Sequence, residues 1–247
     1  MTLKIGLFIS DLHMPYNISL IPLLRYIKDI KPAVIILGGD VIDAEGLHAC
    51  ESIKAETVKI EWLYRDIGYA RTLIEAIYAN SPKTAVIYLE GNHEQRYRRL
   101  QVKYPDLFQE TLNFQGVLTK ALPKVKYIPY GTAESYVKIG DTVFTHGDIY
   151  PDSHAKPYAL RYTPYKVVYG HLHHMQSYTA HRALLNESAR YAITAGCMCS
   201  LNPAWKKGAA NQWVNGFVSF FTDGKMTTPT VHLIENGKFA IGNKIYG

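Results

Sequence analysis

Five apolar, strand-like runs in this chain each end in a short polar motif. Lys4–Ser10 leads into Asp11-Leu12-His13, and Ala33–Leu37 into Gly38-Gly39-Asp40. Thr84–Leu89 leads into Gly91-Asn92-His93-Glu94, Thr142–Thr145 into His146-Gly147, and Lys166–Tyr169 into Gly170-His171-Leu172-His173. Apolar runs of this length bounded by Gly read as buried strands. If the strands share one sheet and run the same way, all five motifs leave it at one edge. The crevice outside the carboxyl ends of such strands is where open α/β sheets bind ligands. Asp, His and Asn gathered there make the ligand set of a metal site.

Between the motifs, the first half of the chain alternates strand with helix. A helix is expected near Ile18–Asp29, closed by Lys31-Pro32, because Pro disfavours helix in the residue before it. Val58, Trp62, Leu63, Leu73, Ile74 and Ile77 recur at helical spacing, so a long helix is expected over Ala55–Ala79, broken by Ser81-Pro82. Further helical pieces follow at Glu94–Lys103 and Asp106–Ala121. The second half reads mostly as strands: Lys126–Pro129, Ser135–Ile139, Thr142–Thr145, Lys166–Tyr169, Tyr191–Ala195, Trp213–Thr222 and Thr230–Ile234. Gly140-Asp141 and Asp223-Gly224 are hairpin signals. Strand–helix alternation followed by strands suggests two stacked sheets flanked by helices in one domain, 1–247. The segment Gly147–Tyr165, rich in Pro and Tyr, reads as an irregular loop that faces substrate.

With 47% hydrophobic and 19% charged residues over 247 positions, the chain has the material for a packed core. No apolar stretch approaches the roughly 20 residues that span a bilayer. The start, Met1-Thr2-Leu3-Lys4, lacks a leader pattern. The chain therefore reads as cytoplasmic, with no membrane partner. Three cysteines, Cys50, Cys197 and Cys199, argue against a disulfide framework. Cys197 and Cys199 lie two apart in a strand-like stretch; they read as buried thiols rather than as a soft metal pair. A net charge of +6 suits an anionic partner. The cluster Arg96, Arg98 and Arg99 begins just after a motif, whereas Lys206-Lys207 reads as a solvated face.

In extended backbone, residues two apart face the same side. Asp11 and His13 are then a ligand pair, and so are His171 and His173. Asp40 offers two carboxylate oxygens, Asn92 a carbonyl oxygen and His146 an imidazole nitrogen. The pool is Asp11, His13, Asp40, Asn92, His146, His171 and His173. A mixed O/N set without thiolate suits Mn²⁺, Fe, Zn²⁺, Co²⁺ or Ni²⁺. Two such ions about 3.5–4 Å apart clamp both the attacking and the leaving oxygen of a phosphoryl transfer. His93 follows Asn92 directly and points elsewhere, which suits an imidazole beside the leaving group. Any one motif alone is more simply a turn, a helix cap or a polar residue; the argument lies in all five following strands.

The ordered set Asp11-Leu12-His13, Gly39-Asp40-Val41-Ile42-Asp43, Gly91-Asn92-His93-Glu94, His146-Gly147 and Gly170-His171-Leu172-His173 resembles the calcineurin-like metallophosphoesterase superfamily. That resemblance implies a four-layer αββα sandwich, two mixed sheets with helices outside. It implies two divalent cations, Mn²⁺ first among them. One would be held by Asp11, His13, Asp40 and His173, the other by Asp40, Asn92, His146 and His171. It further implies hydrolysis of a phosphate ester by hydroxide held on the metals, with His93 as the catalytic histidine. Protein Ser/Thr phosphatases carry Arg after the second Asp of the Gly-Asp-x-x-Asp motif. Ala44 follows Asp43 here, which disfavours that branch. Asp11–Tyr16, the Arg-rich helix and Asn211-Gln212-Trp213 are more similar to small phage and prokaryotic phosphoesterases.

Positive charge and 19 tyrosines, whose rings stack on bases, favour a nucleotide or nucleic-acid phosphodiester. A phosphomonoesterase is the alternative within the class; a non-catalytic metal-binding protein and a mononuclear metal hydrolase acting on another bond are the alternatives outside it. Asp43 is a candidate to orient a ligand, Arg96 to pair with phosphate, and Tyr16 to line the pocket. His174 reads as an unremarkable neighbour, and His48, His154, His181 and His232 as structural or surface residues. Oligomeric state is left open.

Overall fold

The computed structural model describes residues 3–50, 52–107, 113–181, 189–203 and 211–247. Its elements run in the order β1 (Lys4–Ile9), α1 (Ile21–Ile30), β2 (Val34–Leu37), α2 (Ile60–Asn80), β3 (Ala85–Leu89), α3 (Asn92–Lys103), α4 (Phe114–Ala121) and β4 (Lys126–Ile128). Then come β5 (Tyr136–Ile139), β6 (Thr142–Thr145), α5 (Ala155–Arg161), β7 (Lys166–Tyr169), β8 (Met175–Ala180), β9 (Arg190–Ala195), β10 (Gly216–Thr222), β11 (Thr227–Leu233), β12 (Phe239–Ile241) and β13 (Lys244–Tyr246).

The strands form two large mixed sheets. One has the order β11-β10-β1-β2-β3-β4, the other β5-β6-β7-β9-β8. In the first, β1, β2, β3 and β4 are parallel and β10 runs against them. In the second, β6, β7 and β9 are parallel, and β5 and β8 run against them. The five motifs therefore leave two sheets rather than one. Three follow β1, β2 and β3; two follow β6 and β7.

Side-chain alternation along the strands separates the layers. Phe8, Ile36 and Leu89 point between the sheets and meet Phe144, Val168 and Ala195. Their neighbours Leu7, Ile9, Ile35, Leu37 and Tyr88 point the other way, against Leu23 and Ile27 of α1 and Leu63, Ile67 and Ile74 of α2. On the far side, Val167, Tyr169 and Ala192 pack on Tyr158 and Ala159 of α5. The result is the expected αββα sandwich. Burial on both faces is why these strands read as unbroken apolar runs.

Several boundaries differ from expectation. The first helix begins at Ile21, where Pro22 takes the first turn. The long helix starts at Ile60, after a separate 3₁₀ turn over Ala55–Thr57. The last helix of the first half resolves into a 3₁₀ turn at Pro105–Leu107 and α4, with residues 108–112 outside the described set. The strand expected from Trp213 begins at Gly216. The segment Gly147–Tyr165 is not wholly irregular: it contains α5, whose Tyr158 is fully buried and accepts, through its hydroxyl oxygen, from Asp148 N and Ile149 N. β8 and the β12–β13 hairpin were not legible as strands. β8 mixes Gln176, Ser177 and Thr179 with Met175 and Tyr178 at a sheet edge, and the hairpin strands have three residues each. Lys206-Lys207 lies outside the described residues.

Candidate metal centre

Parallel pairing aligns Ile9 with Leu37, so Asp11 and Asp40 leave their strands side by side. Asp11 N donates to Gly39 O at 3.0 Å and His13 N to Asp40 O at 2.9 Å. The backbone here is not extended. Asp11, His13, Asp40, His171 and His173 all have positive φ, at 56°, 48°, 48°, 81° and 61°. Each motif turns its side chains into the crevice through left-handed residues, not through strand alternation. Such conformations cost about 1–3 kcal/mol each and persist where the surroundings over-determine them, typically at functional sites.

Those surroundings are hydrogen bonds between the motifs. His171 N donates to both Asp11 carboxylate oxygens, at 3.1 and 3.0 Å, tying the second sheet to the first. His93 N donates to Asp40 Oδ1 at 2.9 Å. Glu94 is fully buried and accepts from Asp40 N, Val41 N, Ile42 N, Gly91 N and the Tyr88 hydroxyl, at 2.8–3.2 Å. It binds the β2 motif to the β3 motif. Sequence reasoning assigned Glu94 no role. Its signal was the capping-box spacing from Gly91, with an acid at the third helical position.

All seven predicted ligands and His93 lie together. Asp40 Oδ2 is 3.7 Å from His13 Nε2, 3.4 Å from His146 Nε2 and 3.8 Å from His93 Nε2. His13 Nε2 is 3.1 Å from His173 Nε2, and His173 Nε2 is 3.3 Å from Asp11 Oδ1. His146 Nε2 is 3.0 Å from Asn92 Oδ1. Donor atoms bound at about 2.1 Å to one cation lie about 3.0–3.4 Å apart at octahedral to tetrahedral angles. Most of these separations have that size. Asp11, His13 and Asp40 form one compact ligand group, and Asp40, His146 and His171 another, with Asp40 common to both. Both ring nitrogens of His171 are buried without a hydrogen-bond partner. The donor set therefore fits a pair of divalent cations sharing Asp40.

The electrostatics are those of a buried acid–imidazole cluster. Burial opposes ionisation of Asp40, yet the imidazoles of His146, His93 and His13 hold it well below the carboxylate range. Burial likewise opposes charge on His146, but the Asp40 carboxylate raises it to about 10. Burial, with His146 beside it, lowers His171 to about 4. Burial lowers His93 to about 3, opposed by Asp40 and reinforced by His13 and Arg96. His93 Nδ1 lies 2.6 Å from Asp43 O, the geometry of an N–H donated to a carbonyl, which leaves Nε2 toward the crevice.

The crevice is a cavity of about 330 Å³ lined by these groups. Tyr16 lines it, as do Arg96, Asp43 and His48. Arg96 lies along His93, with its terminal nitrogens 3.0 and 3.2 Å from the two ring nitrogens, and donates to Asp43 O at 3.1 Å. Asp43 Oδ1 is 3.1 Å from His13 Nδ1, so it orients that imidazole rather than serving only a turn. Asp43 Oδ2 is 2.8 Å from His48 Nε2. His48 thus belongs to the site wall, against expectation; no local motif marked it. Cys199 and Trp213 also line the cavity, with Cys199 Sγ 4.0 Å from His173 Nδ1 and the Trp213 ring centroid 4.1 Å from that of His173. Both cysteines of the pair are buried, as expected, but Cys199 reaches the site because β9 ends beside β7. His174 is not part of the wall; its ring lies 5.9 Å from that of buried His154.

The family profile described as Metallophos, calcineurin-like phosphoesterase, matches residues 7–175, which hold all five motifs. The chain belongs to the calcineurin-like phosphoesterase family. Like the family, it carries the groups of a metal-dependent phosphoesterase. No curated protein matches the chain. Among solved structures, Vps29 from Cryptosporidium parvum is similar at 14% identity, covering 99% of this chain and 98% of that one, with a TM-score of 0.49. A Vps29 complexed with Zn²⁺ from Entamoeba histolytica is similar at 13% identity, covering 96% of each chain, with a TM-score of 0.48. A predicted phosphoesterase from Streptococcus pneumoniae is similar at 10% identity, covering 95% of this chain and 90% of that one, with a TM-score of 0.39. Among the described residues, no helix of this family member is long and apolar enough to cross a membrane.

Proposed function

We infer that this chain hydrolyses a phosphodiester of a nucleotide or nucleic acid, using two divalent cations of which Mn²⁺ is the first candidate. The observation that carries the reading is Asp40, whose carboxylate is common to two compact ligand groups. Asp11, His13, Asp40 and His173 would hold one cation; Asp40, Asn92, His146 and His171 the other. When bound, such a pair neutralises phosphoryl charge and generates a nucleophile from water at neutral pH.

The protein's own groups do the rest. His93 presents Nε2 to the cavity, where it accepts or donates a proton at the phosphoryl or leaving oxygen. The Asp43 carbonyl fixes its ring through Nδ1, and Arg96 keeps a guanidinium beside it that suits a non-bridging phosphoryl oxygen. Asp43 holds His13, and Glu94 holds the Asp40 turn. Tyr16 and Trp213 offer ring faces in the cavity, and Tyr150, 69% exposed, sets its ring 4.8 Å from that of His171. Aromatic walls around a phosphate site, with a net charge of +6, favour a base-bearing ester over a phosphoprotein.

The test compares bis-p-nitrophenyl phosphate with p-nitrophenyl phosphate in added Mn²⁺, before and after chelation. Diester turnover that exceeds monoester turnover and disappears with chelator is the expected result. Monoester turnover alone would favour a phosphatase, and two bound metals without any turnover would favour a binding protein.

A further inference from the structure

A second cavity, of about 370 Å³, is lined by other residues of α3. The two share α3 and the segment before α2: His48 and Arg96 line the first, while Cys50, Gln95, Arg98, Arg99, Val102 and Lys103 line the second. Helical geometry sorts these basic groups. At about 100° per residue, Arg96, Arg99 and Lys103 fall within an arc of about 60°. Of the buried residues of the helix, Glu94 and Tyr97 lie across it from this row, and Leu100 flanks the row. Arg98 lies outside the row, since its guanidinium is bound to the buried Glu90 carboxylate at 2.8 Å. Lys103 Nζ is positioned by Ile53 O at 3.0 Å. The row begins at the side chain that touches His93 and recedes from it by roughly one turn, about 5.4 Å, per step.

We propose that the face of α3 from Arg96 through Arg99 to Lys103 is a subsite for the phosphates that flank the reacting one in single-stranded nucleic acid. The inference rests on the phosphodiester reading and extends it to a polymer. A row of separated cations leading out of a catalytic cavity matches a repeating anion, not a single phosphate. The reacting ester must enter a concave cavity of about 330 Å³, the size of a small-molecule site, which admits one nucleotide and not a duplex. The aromatic rings Tyr16 and Trp213 lie in that cavity, where the base of the reacting nucleotide would stack.

The experiment measures the affinity of fluorescein-labelled oligothymidylate for Mn²⁺-loaded His93→Ala protein between about 50 and about 200 mM salt. The same titration is run with Arg99→Gln and Lys103→Gln added. For single strands the log–log salt slope is about −0.7 per phosphate neutralised, so the doubly substituted protein should show a slope shallower by about 1.4. Circular dichroism and thermal unfolding confirm that it folds. An unchanged slope, or equal competition by duplex DNA or heparin, would overturn the subsite. Absence of small-diester turnover by the unsubstituted protein would instead strike the phosphodiester reading, so the two failures are distinguishable.

Discussion

The carboxylate of Glu94 accepts the backbone N–H of Asp40 at 3.1 Å, across 54 positions of sequence. A second helix-borne side chain thereby decides where the shared ligand of two cation groups sits. Glu94 is two residues past Asn92, so one helix start carries one proposed ligand and fixes the backbone of another, Asp40. Burial and the adjacent Asp40 charge push the Glu94 carboxyl up to about 7, opposed in part by the Tyr88 hydroxyl and a backbone N–H.

Glu94→Ala leaves buried N–H groups of Asp40, Val41 and Ile42 without their acceptor. Each costs about 1–3 kcal/mol when unmet. The expected loss is about 3 kcal/mol or more, read as a lower urea midpoint, together with a fall in bound Mn²⁺ per chain. Stability and metal content equal to those of the parent would refute the role.

Gly91 stands so close to Asp40 that a β-carbon would lie 2.1 Å from its Oδ1 and 2.3 Å from its backbone N. Gly91→Ala must therefore displace the shared carboxylate. A loss of metal content, measured by elemental analysis after gel filtration, is expected even where circular dichroism shows a folded protein.

His93→Ala removes the imidazole that faces the cavity but none of the seven proposed ligands. Turnover of bis-p-nitrophenyl phosphate should fall by about 10²–10⁴, with metal content largely kept. Turnover at the parental rate would remove His93 from the reaction.

Asp43→Asn weakens the hold on the His13 ring. Removing such a supporting group typically lowers metal affinity by about 10–100-fold. Competition with a chromophoric chelator reads this directly, and an unaltered affinity would reduce Asp43 to a turn residue.

His154 is fully buried, with Nδ1 2.6 Å from the Tyr169 hydroxyl. Burial, helped by His174 and opposed by Asp152, lowers its pKa to about 4. A folded-state pKa below the unfolded value means that the unfolded chain binds the extra proton first. Stability should therefore fall as pH drops from about 6.5 toward 4. Urea midpoints measured across that window should decline less steeply in His154→Gln than in the parent.

The sequence by itself determined the strand-and-motif skeleton and the pool of candidate ligands. Fully buried strands must be apolar at every position, so Leu7–Ile9, Ile35–Leu37 and Val167–Tyr169 stood out, and the polar residues that closed them were conspicuous. Tertiary structure decided what local signals do not encode. It assigned three motifs to one of the two expected sheets and two to the other, the sheets meeting where Phe8, Ile36 and Leu89 bury against Phe144 and Val168. Left-handed turns, not strand alternation, aim Asp11, His13, His171 and His173. His48, Cys199 and Trp213 join the wall only through folding. Cys199 and Trp213 are brought there by packing between segments far apart in the chain, and His48 by an irregular turn that returns it to Asp43; neither kind of contact leaves a periodicity to read.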